Sequence, residues 1–193
     1  ETTLSFQFRT LRAVFNRAIE ENVVSKEKNP FEQFKVSKFN TKTKKRALTK
    51  EDMMKIITTE TIQATTLRTF TRDVFTFAYL CGGISFVDMA NLTLDNIYKE
   101  RIRYIRQKTH GEINLKLCDQ AKEIIEKYIS YREKATYLFP ILDARLHKTP
   151  MQKKNRVRKV LARINKELKV LASELEIKTD VTTYVAKHHT ISI

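Results

Sequence analysis

Apolar residues recur at helical spacing near the start of the chain, where Leu4, Phe8, Leu11, Phe15, Ala18 and Ile19 predict a helix over residues 4–22. Asn29-Pro30 stops regular structure after it. In "LTKEDMMKII", Thr49 is a ready N-cap, and Glu51 and Asp52 place negative charge in the first turn of a second helix. Residues 66–81 set Leu67, Phe70, Val74, Phe77, Ala78 and Cys81 on one helical face, and Gly82-Gly83 ends that helix. "SFVDMANL" then begins a new helical turn with Ser85 as its cap.

The period changes after residue 100. "RIRYIRQK" and "EINLKL" are β-branched and alternating, with "THG" between them, so residues 101–117 read as a β-hairpin. Helical spacing returns over 119–132 through Ala121, Ile124, Ile125, Tyr128 and Ile129. "YLFPIL" reads as a short buried or edge segment. The longest helix spans 151–176, with Val157, Val160, Leu161, Ile164, Leu168, Leu171 and Leu175 as its stripe and Arg156, Arg158, Lys159, Arg163 and Lys166 around it. The fold class is therefore mainly α with a small antiparallel β-hairpin or sheet (α+β). The 3 glycines and 3 prolines agree with long helices and few loops.

Charge divides the chain. Residues 35–46 hold six bases and no acid, which reads as an exposed linker. One amphipathic helix cannot bury a core alone. Residues 1–40 thus look like the end of a domain that starts elsewhere, 41–48 like a basic linker, and 49–193 like a second domain. The net charge of +15 points to a polyanion, with nucleic acid ahead of an anionic membrane. No apolar run is long enough to span a bilayer, and the first residues do not read as a signal peptide. Cys81 and Cys118 stand apart in apolar contexts, which suits reduced thiols and a cytoplasmic location.

Three places carry candidate chemistry. Lys108 lies near the hairpin tip after Arg101, Arg103 and Arg106. It is either part of a cationic strand facing solvent or phosphate, or a mobile general acid for a leaving oxygen. Asp88 is a first-turn carboxylate, with a structural role in its own right. Lys187, His188 and His189 form a basic trio in "TTYVAKHHTISI". Adjacent histidines diverge on a helix and no Cys, Asp or Glu stands near them, so no metal is expected, nor any cofactor. Cations crossing a phosphate site fit the trio better.

The order of "RALTKEDM", "GISFVDMANL", "YIRQKT", "YLFP" and "TTYVAKH" resembles the tyrosine recombinases, or phage-type integrases, and in particular those of Bacteroides-type mobile elements. "TLRAVFNRAIEENVVSKEKNPF" resembles the end of that family's helical core-binding domain, ahead of its catalytic domain. The resemblance implies site-specific DNA breakage and rejoining through a 3′-phosphotyrosine. It places Lys108 on the hairpin lysine, Asp88 on the acid after the first arginine, Lys187 on the second arginine and His188 on the histidine that follows. It implies double-stranded DNA as partner, met by Lys42, Lys44, Lys45, Arg46, Arg103 and Arg106, and a homo-tetramer on DNA for a full-length protein, against a monomer for this chain.

The departures are specific. Ser85 occupies the position of the first arginine, with Arg72 upstream as a possible substitute. Tyr184 stands where a histidine is expected, and Lys187 lacks the bidentate fork of arginine. The family's nucleophilic tyrosine falls well past the segment that holds Lys187, so the catalytic domain is expected to stop short of it and the chain to bind DNA without cutting. A rival reading is a non-catalytic DNA-binding or regulatory protein on the same fold. An unrelated RNA-binding protein is disfavoured because no aromatic-rich RNP-like strand is present.

Overall fold

The computed structural model describes residues 2–39, 48–59, 66–130 and 136–186. The chain divides into two compact units, Glu1–Lys45 and Arg46–Ile193. In the first unit α1 (Thr2–Glu20) is followed by single 3-10 turns at Lys26–Lys28 and Val36–Lys38. The return chain covers α1 with aromatic rings: Phe8 packs on Phe34 and Phe39, with centroids 4.9 and 5.4 Å away, and Phe15 meets Phe31 at 6.1 Å. Asn29 Oδ1 accepts the Phe31 N–H at 3.0 Å, a side-chain turn that redirects the chain at Pro30. Leu4 and Leu11 belong to the sequence stripe but remain about half exposed.

The second unit runs α2 (Lys50–Thr58), α3 (Thr66–Leu80), α4 (Phe86–Ala90), β1 (Ile97–Tyr98), β2 (Arg101–Ile105), β3 (Glu112–Lys116), α5 (Asp119–Ser130) and α6 (Pro150–Glu174). It is mostly helical with one small antiparallel sheet in the order β1-β2-β3. Thr49 caps α2 as expected, its hydroxyl accepting the Asp52 N–H at 3.0 Å. Helix α3 is central and packs on α2, α5 and α6. Its burial exceeds the stripe: Thr71, Asp73, Phe75 and Thr76 are buried as well, while Leu67 is 40% exposed near its start. Contact from several sides, rather than one amphipathic face, sets this pattern.

Buried Asp73 ties these helices together. Its carboxylate accepts from Lys127 Nζ at 2.6 Å and Tyr128 Oη at 2.9 Å, and Arg72 lies 3.3 Å away. Burial, then the Asp73 charge, holds the Tyr128 phenol well above its usual range. Arg68 joins α3 to α6 by donating to Glu167 at 2.8 Å and to both Glu174 oxygens at 2.7 and 3.0 Å. "YLFPIL" is an irregular buried segment, whose Leu138 N–H donates to the Leu92 carbonyl at 2.7 Å just past α4. Helix α6 opens on a capping box between Thr149 and Gln152 with Pro150 in its first turn. Arg156 is not in the solvated crowd of bases, since its Nε donates to the Ile141 carbonyl at 3.0 Å.

The hairpin expected over 101–117 exists but is preceded by β1, too short to show a period in sequence. Lys99 and Glu100 join β1 to β2 with φ of 44° and 60°, a two-residue turn of the primed kind built without glycine. The β2–β3 loop closes where Arg106 N donates to the Gly111 carbonyl at 2.9 Å, and His110, not Gly111, takes the left-handed conformation at φ 53°.

Candidate active site

The site begins where α3 ends. Gly83 N donates to the Ala78 carbonyl at 2.8 Å and Gly82 N to the Tyr79 carbonyl at 3.3 Å, with φ of 67° at Gly82 and 73° at Gly83. This Schellman ending needs a left-handed residue just past the helix, and glycine supplies it without a Cβ penalty. The chain reverses, buries Ile84 and enters α4 through Ser85.

Ser85 and Asp88 bind each other twice. The Ser85 hydroxyl accepts the Asp88 N–H at 3.2 Å and donates to Asp88 Oδ2 at 2.7 Å. The other carboxylate oxygen, Oδ1, accepts the Gln107 N–H from the start of the β2–β3 loop at 2.8 Å. Asp88 is only 7% exposed, so a lone carboxylate there would be costly; these bonds offset its desolvation. The effect is mechanical too. The α4 N-terminus and the hairpin loop, nineteen residues apart in sequence, are clamped through one side chain.

Lys108 follows Gln107 in that loop and is exposed. It stands at the tip, one residue from the clamp, and reaches solvent on a long flexible stem. Arg106 is half-buried at the loop base, whereas Arg103 is exposed on β2. Tyr104, buried beneath the hairpin, has its phenol pushed up to about 12, by burial first and the Asp88 charge second, against the pull of Arg106. An open depression of about 520 Å³ lies against this group, lined by Asp88, Asn91, Asn96, Arg103, Gln107 and Glu112 among others.

The structure thus brings Ser85, Asp88 and the Lys108 loop together. It places Arg72 elsewhere: the guanidinium donates to the Thr59 carbonyl at 2.8 Å and faces Asp73 at 3.3 Å. Along α3, Arg72 stands eight residues before Leu80, roughly 12 Å of helix from the glycine break. Lys187, His188, Lys42, Lys44, Lys45 and Arg46 lie outside the described residues. Tyr184, in the turn before them, is exposed, while Val185 and Ala186 are buried. Sequence reading missed the Gln107 backbone N–H, which no side-chain pattern reveals. It treated the bases of α6 as a crowd, whereas Lys154, Arg158, Lys159, Arg163 and Lys166 are the exposed ones ahead of Glu167, the first acid in the helix. Among the described residues no group of three or more His, Cys, Asp or Glu is placed to hold a metal ion, and no helix is long and apolar enough to cross a membrane.

No protein-family model and no curated protein sequence matches the chain. Solved structures do. Lambda integrase (residues 75–356) bound to DNA superposes with a TM-score of 0.68 at 16% identity, over 96% of this chain and 62% of that one. The Tn1549 transposon integrase (residues 82–397), in complex with circular intermediate DNA, gives 0.56 at 16% identity, over 94% and 62%. XerA recombinase gives 0.50 at 14% identity, over 91% and 63%. The chain therefore has the fold of lambda integrase and spans about three fifths of these structures' lengths.

Proposed function

We propose that the chain is the larger part of a tyrosine-type site-specific DNA recombinase, an integrase that breaks and rejoins duplex DNA through a 3′-phosphotyrosine. The single observation that supports this most is the clamp of Asp88 on Ser85 and Gln107, which fixes the base of a loop whose tip is Lys108. The fold of integrases solved on DNA supports it as well. In this reading residues 1–40 end a core-binding domain, 41–48 link it, and 49–193 form most of a catalytic domain of a mobile-element integrase.

A tyrosine oxygen attacks the scissile phosphorus, and the bond from phosphorus to the 5′-oxygen breaks. Lys108 donates its proton to that departing oxygen. Lys187 and His188 hold the non-bridging oxygens as negative charge develops. Asp88 acts as a positioning residue for the loop. None of the chain's tyrosines is assigned the attacking role. Four such protomers act together on DNA, whereas this chain alone is a monomer.

A second reading has its own observation. The Ser85 hydroxyl stands where the resemblance expects an arginine and is spent on Asp88, so it offers no charge to a phosphate. A DNA-binding protein that does not cut would tolerate this. Trapping on nicked duplex separates the two. A longer protein that includes this chain and a nucleophilic tyrosine is expected to form a covalent adduct in which mass spectrometry finds a 3′-phosphate on tyrosine. Tight duplex binding with no adduct would establish the second reading instead.

A further inference from the structure

The two faces of the small sheet differ in chemistry. Ile102, Tyr104, Ile113 and Leu115 point inward, buried or packed on the core. The register pairs Tyr98 with Arg101 and Arg101 with Lys116, so these three form one row straight across the outer face. The next row pairs Arg103 with Asn114. Strands lie about 4.8 Å apart, so the first row is about 10 Å wide. Every charge in both rows is positive; the acids at the margins are Asp95, Glu112, and the pair Glu100 and Asp119, which flank Lys116 and are themselves held by Lys122 at 2.8 Å each.

Tyr98 sets this patch apart from an ordinary solvated basic face. Its side chain is on the outer face and the residue is 54% exposed. The Lys99 ammonium lies 5.2 Å from the ring centroid and the Arg103 guanidinium 5.9 Å. Arg101 is held in place, with Nε on Asn114 Oδ1 at 2.7 Å and Nη2 on the Asn114 carbonyl at 3.3 Å. Lys99 and Arg103 are exposed and lie over the ring, so they can swing aside for a base while Arg101 stays fixed. An exposed aromatic ring among cations is the pattern that binds unpaired nucleotides: a base stacks on the ring, and flanking phosphates meet the cations. A duplex offers the same phosphates but keeps its base faces inside the stack, leaving Tyr98 nothing to stack on.

We infer that the outer face of the sheet, centred on Tyr98 with Lys99, Arg101, Arg103 and Lys116, binds a short single-stranded stretch of nucleic acid. The choice of nucleic acid over an acidic protein rests on the proposed function; the single-strand preference rests on the exposed ring. The patch shares Arg103 with the depression beside Asp88. A strand unpaired near the Lys108 loop therefore has a surface leading away from it. In a reaction that frees one DNA strand, this face would hold the freed segment between breakage and rejoining.

Fluorescence anisotropy of this chain with an oligothymidylate of about 12 nucleotides and with a duplex of equal length tests the inference. Tyr98→Ala should weaken oligothymidylate binding roughly tenfold, and Tyr98→Phe, which keeps the ring, by less than about twofold. Both should leave duplex binding within about twofold. Lys116→Glu, which leaves the ring untouched, should also weaken the single-strand complex. Bromodeoxyuridine placed in the oligomer should crosslink to the peptide holding Tyr98. The inference is overturned if Tyr98→Ala binds the oligomer like the wild type, if it loses duplex affinity equally, or if crosslinks fall only on α6 or the Lys108 loop. Failure to bind either DNA would instead overturn the proposed function.

Discussion

Asp88 Oδ1 accepts the Gln107 N–H at 2.8 Å while its other oxygen accepts from the Ser85 hydroxyl, so one carboxylate joins the start of α4 to the loop carrying Lys108. Replacing Asp88 by alanine leaves the Gln107 N–H and the Ser85 hydroxyl without their acceptor at partly buried bonds. A loss of about 2 kcal/mol of stability is expected, with faster amide exchange at Gln107. Asp88→Asn keeps a carbonyl oxygen for Gln107 and should lose less. Unchanged exchange at Gln107 in Asp88→Ala would show that the clamp does not hold the loop.

Lys108 is exposed at the loop tip, while the arginines of the hairpin remain available to the DNA backbone. In a longer protein that carries the nucleophile, Lys108→Ala is expected to bind duplex within about threefold of wild type. Cleavage should slow by about 10²–10⁴-fold, because the 5′-oxygen departs without a proton donor. A substrate with sulfur at the 5′-bridging position departs as thiolate and should restore the rate. Cleavage of that substrate as slow as that of the oxygen substrate would remove Lys108 from the role.

The exposed bases of α6 ahead of Glu167, Lys154, Arg158, Lys159, Arg163 and Lys166, form a stretch uninterrupted by acid. If about five of the chain's cations meet phosphates, duplex affinity should fall by roughly two to three orders of magnitude between about 50 and 200 mM salt. Affinity indifferent to salt over that range would mean that these charges do not face DNA.

Burial, the largest cause, raises the Cys81 thiol from 9.0 to about 12, and Tyr104 likewise rises from 10.0 to about 12. Both groups keep their protons longer folded than unfolded. Their contribution is complete below the unfolded values and is lost as pH rises through the folded ones. Stability should therefore decline between about pH 9 and 12. Native protein at pH 8 should react with a thiol reagent at exposed Cys118 and leave Cys81 untouched until it unfolds. Rapid modification of both thiols in the native state would contradict this burial.

The helices were legible because their signals are local. Thr49 and Ser85 read correctly as caps, and the stripes of α5 and α6 match their buried residues. The start of α6, read as residue 151 from the stripe alone, lies at Pro150, where Thr149 and Gln152 form a capping box that the stripe does not register. The Asp88 clamp was half legible: Ser85 and Asp88 are neighbours in sequence, but their partner is a backbone N–H chosen by tertiary structure. Arg72 looked available from sequence. Only packing reveals that the Thr59 carbonyl and Asp73 occupy it. "THG" marked the turn between the strands, but which of its residues takes the left-handed conformation, His110, is set by the closed loop and not by the sequence.

The Lys99-Glu100 turn has a wider consequence. Two left-handed residues in a two-residue connection give the hairpin the twist that strands prefer, and they fix Tyr98 opposite Arg101. Side chains alternate along a strand, so a one-residue slip of this register would send Tyr98 into the core and Ile97 to the surface. The chemistry of the sheet's outer face is thus written in backbone handedness at two positions. Surveys that compare only the surface side chains of similar proteins would overlook the residues that decide whether such a face exists.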